Sequence, residues 1–187
     1  MKFISLIKIA LLFCLLVLVQ TTNAQENLDI FEVARKGTYE QAKEILKANP
    51  KAFTILNEDG YSPLILACYR GNNEVAKLLI DNKCNINGTS KMGTPLMAAI
   101  FKNNTEIAKY LIKNNADLSV EDANGTSALI YATNAQNYEI VSLLTNAGAD
   151  YNKKDKRGKS ALDYAILLND DKLIETLKNK KLWKKLL

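Results

Sequence analysis

The stretch "DGYSPLILA", residues 59–67, joins a turn signal (Asp59-Gly60), a helix-starting pair (Ser62-Pro63) and an apolar run. Three later stretches repeat its plan: "MGTPLMAA" at 92–99, "GTSALIYA" at 125–132 and "GKSALDYA" at 158–165. Their aligned leucines, Leu64, Leu96, Leu129 and Leu162, stand 32, 33 and 33 residues apart. A near-constant period with one helix start per unit predicts stacked repeats that bury apolar surface against their neighbours rather than around a single core.

Within a unit the local chemistry is that of two short helices. Ser62, Thr94, Ser127 and Ser160 stand at the N-cap position, where a hydroxyl can accept an orphan backbone N–H. Pro63 and Pro95 follow at the first helical position, where a missing N–H costs nothing, and alanine serves there at 128 and 161. Leu64, Ala67 and Cys68 share one face of the first helix. At its end come Gly71, Asn103, Gln136 and Asn169, of which the glycine and the two asparagines tolerate positive φ. Val75, Leu78 and Leu79 form the apolar stripe of the second helix. Helices this short are marginal alone, so the fold class is an all-α solenoid held by inter-repeat packing.

The residues Gly60-Tyr61-Ser62-Pro63-Leu64 with Ala67, Thr94-Pro95-Leu96 with Ala99, "NNADLS" at 114–119 and "NAGADYN" at 146–152 make the chain resemble the ankyrin-repeat family. The resemblance implies a degenerate N-terminal repeat over 28–57, repeats over 58–89, 90–121 and 122–154, and a C-terminal capping repeat over 155–187. In the first of these, Val33, Ala34 and Gly37 follow the first-helix pattern and Ala42, Ile45 and Leu46 the second. The position that is histidine in the family holds Ile65, Met97, Ile130 and Asp163, so apolar packing is expected to replace its hydrogen bond. The second repeat is one residue short, with Met92 where the turn glycine belongs and Gly93 beside it; its hairpin is expected to differ.

Composition bounds the function classes. Residues 1–24 carry Lys2 and Lys8, an apolar run from Ile9 to Val19 and the ending Thr22-Asn23-Ala24, which reads as a cleaved signal peptide ahead of a repeat domain over 25–187. That predicts an exported protein, periplasmic or secreted, and the glycosylation triplets starting at Asn87, Asn103 and Asn124 favour the bacterial setting, since glycans would crowd the hairpins. The net charge of +5 is uneven: residues 25–152 carry 12 basic and 15 acidic side chains, net −3, and 153–187 carry 11 and 5, net +6. Nucleic acid is a poor partner for such a chain. Histidine is absent, which removes the commonest general base and zinc ligand, and no phosphate-binding glycine loop appears, so no cofactor or metal is expected. Cys68 and Cys84 read as small buried residues or as a disulfide pair.

The resemblance implies a monomeric, non-catalytic protein that binds a protein partner in a concave groove made by hairpin tips and first helices. Its partner-binding candidates are Tyr61, Tyr69, Arg70, Lys91, Phe101, Lys102, Asn134, Lys156, Arg157 and Lys159, with Glu58, Asp59, Ala123, Asn124 and Thr126 alongside. Tyr69, Arg70 and Phe101 are of the types that dominate interface energetics, although Phe101 could instead fold over its own repeat. The similarity to small exported bacterial ankyrin proteins implies a role in envelope oxidative-stress defence with a catalase-like partner; a secreted effector or toxin-neutralising protein is the alternative. An enzymatic reading would rest on Asp59, Asp122 and Asp155 as hairpin carboxylates. "KNKKLWKKLL" at 178–187 reads as a helix capping the last repeat through Trp183, or as a peripheral membrane contact.

Overall fold

A computed structural model describes residues 29–178; the expected signal peptide at 1–24 and the segment 179–187 with Trp183 lie outside them. The described residues form ten α-helices in five pairs: α1 (Ile30–Lys36) and α2 (Tyr39–Ala48), α3 (Pro63–Arg70) and α4 (Asn73–Asp81), α5 (Pro95–Phe101) and α6 (Thr105–Lys113), α7 (Ala128–Asn134) and α8 (Tyr138–Asn146), α9 (Ala161–Leu167) and α10 (Asp171–Lys178). A short 3-10 turn at Ala52–Thr54 seals the gap under α2 and α3, burying Phe53. The first helices pack in sequence, α1 on α3 on α5 on α7 on α9, and the second helices form a parallel layer from α2 to α10. The result is the all-α solenoid that the repeat period predicts.

Each helix starts where a side chain can accept its orphan N–H. Ser62, Thr94 and Ser127 accept from the backbone of Ile65, Met97 and Ile130, and Ser160 shares a reciprocal capping box with Asp163. Asp163 therefore replaces the family's histidine with a cap, whereas Ile65, Met97 and Ile130 replace it with fully buried apolar bulk. The second helices are capped by Asn72, Asn104 and Asn137, a signal absent from the sequence reading, and each of these side chains also reaches back one repeat. Asn72 Nδ2 donates to the Gly37 carbonyl (2.8 Å), Asn104 Nδ2 to Asn73 Oδ1, and Asn137 Nδ2 to both Asn103 Oδ1 (2.9 Å) and Thr105 Oγ1 (2.8 Å). One residue type thus starts a helix and stitches it to the preceding unit.

The first helices end in the left-handed conformation at all four positions, Gly71, Asn103, Gln136 and Asn169, so Gln136 (φ +50°) is forced into a region its own chemistry does not favour. Gly37 departs from the first-helix pattern: its φ is −73°, and glycine is required there because a Cβ would stand 2.6 Å from Val33 Cα. The short second repeat turns tightly, Ser90 and Gly93 exchanging both backbone bonds around Lys91-Met92, whereas the third repeat closes a longer loop by Asp122 N to the Thr126 carbonyl. Gly93 sits at φ +81°, where any side chain is strained, and an added Cβ would also have to displace the Met97 sulfur. Among the described residues the last repeat is the least sealed: Leu162 is only half-buried where Leu64, Leu96 and Leu129 are buried, and Ile166 is exposed where Ile100 and Thr133 are buried.

Candidate functional site

Hairpins are held against first helices by a repeated device. Asp122 Oδ1 accepts the N–H groups of Asn124 and Thr126 (both 2.8 Å), closing the turn, and its Oδ2 accepts the Tyr131 hydroxyl at 2.9 Å. Asp155 does the same with Arg157 N, Lys159 N and the Tyr164 hydroxyl (2.6 Å). In the first hairpin this register belongs to Asn57, whose Oδ1 accepts Tyr61 N at 2.7 Å, and not to Asp59. The three carboxylates of the enzymatic reading are therefore not equivalent, and two are occupied in fixing the turns. Burial works to raise the Asp122 pKa, but the Thr126 N–H, the Tyr131 hydroxyl and the Asn124 N–H outweigh it and hold the carboxyl below its usual value. The Tyr164 hydroxyl leads the same effect at Asp155. Burial, reinforced by the Asp122 charge, pushes the Tyr131 hydroxyl up to about 12.

On the first-helix layer the structure brings four of the ten candidate residues together and adds a fifth. Phe101, 57% exposed, lies between the rings of the two flanking repeats: parallel to Tyr69 with centroids 6.2 Å apart, and edge-on to Tyr131 at 6.3 Å. It does not fold over its own repeat. Lys102 Nζ sits 4.9 Å from the Tyr69 ring centroid and Arg70 Cζ 6.0 Å from it. Tyr131, missed in the sequence, owes its place to Asp122, which fixes the ring angle through the hydroxyl. Its position two residues after the aligned Leu129 was the available signal, shared by Tyr164 after Leu162.

The other candidates are dispersed. Asn134 is exposed on α7 in the row that holds Tyr69 on α3 and Phe101 on α5, and Leu167 ends that row on α9. Tyr61 is half-buried beside the core and Lys91 tips the tight turn. Lys156, Arg157 and Lys159 are exposed on the last hairpin, with the Lys156 ammonium donating to the Ala123 carbonyl at 2.7 Å.

The model for ankyrin repeats in three copies matches residues 30–122 and again 114–185. The chain belongs to the ankyrin-repeat family. A stretch of 68 residues is also 31% identical to the ankyrin repeat and SAM domain-containing protein 6 of Rattus norvegicus; it covers 36% of this chain and 8% of that protein, so only a small part of the rat protein is spanned. Ankyrin arrays are in general non-enzymatic scaffolds that bind other proteins. An opening lined by Phe53, Leu56, Leu64 and Cys84 has a volume of about 50 Å³, enough for water. Cys68 and Cys84 are free buried thiols, and burial pushes both pKa values up, which disfavours the nucleophilic thiolate. No helix among the described residues is long and apolar enough to cross a membrane.

Proposed function

We propose that the protein is an exported, monomeric, non-catalytic binding module that holds a protein partner against its first helices and hairpin tips. The observation that supports this best is the ring row Tyr69–Phe101–Tyr131 with its flanking cations. A mostly exposed phenylalanine between two tyrosines leaves apolar surface in water, and aromatic and arginine side chains are the residue types that concentrate binding energy when a partner covers them. In its specific form the proposal places the protein in a bacterial periplasm, in envelope oxidative-stress defence, with a catalase-like protein as partner. That form rests on the expected signal peptide and on the family resemblance of the sequence.

The test is affinity capture from envelope extract, comparing residues 25–187 with a variant carrying Tyr69→Ala, Arg70→Ala and Phe101→Ala. A stoichiometric partner retained by the first bait and lost by the second supports the binding face, and a captured catalase supports the stress role. Identical captures by both baits would move the binding site away from the ring row.

A further inference from the structure

We infer that the ring row receives an acidic peptide segment with one aromatic or large aliphatic anchor, the anchor seated on Phe101 and the carboxylates on Arg70 and Lys102. This deepens the proposed function and rests on it. Charge complementarity carries the argument. Arg70 and Lys102 directly follow Tyr69 and Phe101 in the chain and stand beside the Tyr69 ring, yet neither pairs with a carboxylate among the described residues. Three lysines elsewhere meet acids across repeats: Lys77 pairs with Glu106, Lys109 with Glu139 and Lys153 with Glu121. The carboxylate nearest the row, Asp122, already accepts from Tyr131 and two backbone N–H groups.

The rest of that face is mostly of the same sign. Lys91, Lys156, Arg157 and Lys159 are exposed on its hairpins, against Glu58 and Asp59 on the first hairpin and Glu121, paired with Lys153, on the third, although residues 25–152 as a whole are net acidic. A carboxylate laid on Arg70 or Lys102 while an apolar side chain displaces water from Phe101 gains a charge-assisted bond in a partly dried setting. The length also fits. The row spans at most ~12 Å through its centroid spacings of 6.2 and 6.3 Å, about four residues of extended chain.

The experiment selects a displayed library of random dodecapeptides on the purified protein, with counter-selection on a Phe101→Ala variant. One enriched peptide is then labelled with fluorescein for anisotropy titrations at low and high salt. The expected pool is rich in Asp and Glu flanking one aromatic or large aliphatic residue. The Arg70→Glu/Lys102→Glu variant is expected to weaken the labelled peptide about tenfold or more, high salt to weaken it with wild type, and Lys156→Glu/Arg157→Glu to matter less. All the variants change exposed side chains, and unchanged circular dichroism checks that each is folded. A pool without acidic bias, no enrichment, or affinity indifferent to Arg70→Glu/Lys102→Glu overturns the inference. An envelope partner lost in the ring variant but not displaced by the acidic peptide, or displaced only by anionic vesicles or oligonucleotide, overturns it while leaving the proposed function standing. Specific peptide binding with no captured partner has the reverse meaning.

Discussion

Two kinds of residue carry costs or couplings visible at single positions. Lys83 has φ +60°, the position that Asn115 and Gly148 occupy in the next two repeats. A side chain in the left-handed region costs of order 1–2 kcal/mol, so Lys83→Gly is expected to stabilise the protein by ~1 kcal/mol even though glycine is the more flexible residue when unfolded. Thermal melting followed by circular dichroism checks it, and a lower melting temperature would contradict it. The tyrosine–aspartate pairs set the pH range. Asp122 and Asp155 have folded pKa values below the unfolded one, so their stabilisation is present above roughly pH 4 and is lost as the pH falls through the folded values. Tyr131 is raised to about 12, so its contribution is present below pH ~10 and is lost as the pH rises through 12. With no histidine in the chain, the urea midpoint is expected to be nearly level from about pH 5 to 8, to fall below that range through the aspartates and above it first through the buried Cys68 and Cys84 thiols, whose pKa values burial raises above the free value of about 8.5. A step near pH 6.5 would contradict this account.

At the level of the helix pair, the asparagine caps do more than start helices. Asn137 accepts from the Ile140 N–H at 3.0 Å and donates to Asn103 and Thr105 in the previous repeat. Asn137→Ala should therefore lose a cap of ~1 kcal/mol and leave cross-repeat partners without a donor, a total of about 2–3 kcal/mol. Ser62→Ala, which loses only a cap to Ile65, serves as the comparison and should cost ~1 kcal/mol. Equal urea-midpoint shifts for the two variants would mean that the cross-repeat bonds add nothing. The serine and threonine caps were legible because a cap lies next to the helix it starts. The asparagine stitching was not, because its partners lie 31 to 39 residues away and depend on how one unit settles on the next.

The molecule as a whole is a one-dimensional stack, and its interior and last units should respond differently to the same change. Leu129 is sealed between repeats and Leu162 is half-buried in the last described unit. Leu129→Ala is expected to cost ~2–5 kcal/mol through the cavity it leaves, and Leu162→Ala clearly less. Equal losses in urea denaturation would contradict this difference between the interior and the last described unit. The same comparison separates the exposed apolar residues of α9: Ile166 is exposed where its counterparts Cys68, Ile100 and Thr133 are buried, whereas Leu167 and Leu168 stand at positions that Phe101 and Asn134, and Arg70, Lys102 and Ala135, also expose in earlier repeats.

The period of Leu64, Leu96, Leu129 and Leu162, the hydroxyl caps and the apolar stripes determined the all-α solenoid and its family from the sequence alone, because each signal acts within a few residues and repeats in phase. The same period indicated which face to search. Tertiary structure decided what that face contains: Tyr131 turned by Asp122 against Phe101, Arg70 and Lys102 beside Tyr69 without acidic partners, and Asp122 and Asp155 occupied by their own hairpins. Ring angles, hydrogen-bond directions and the pairing of charges between units follow from packing across about 30 residues of chain, and linear spacing carries no information about them.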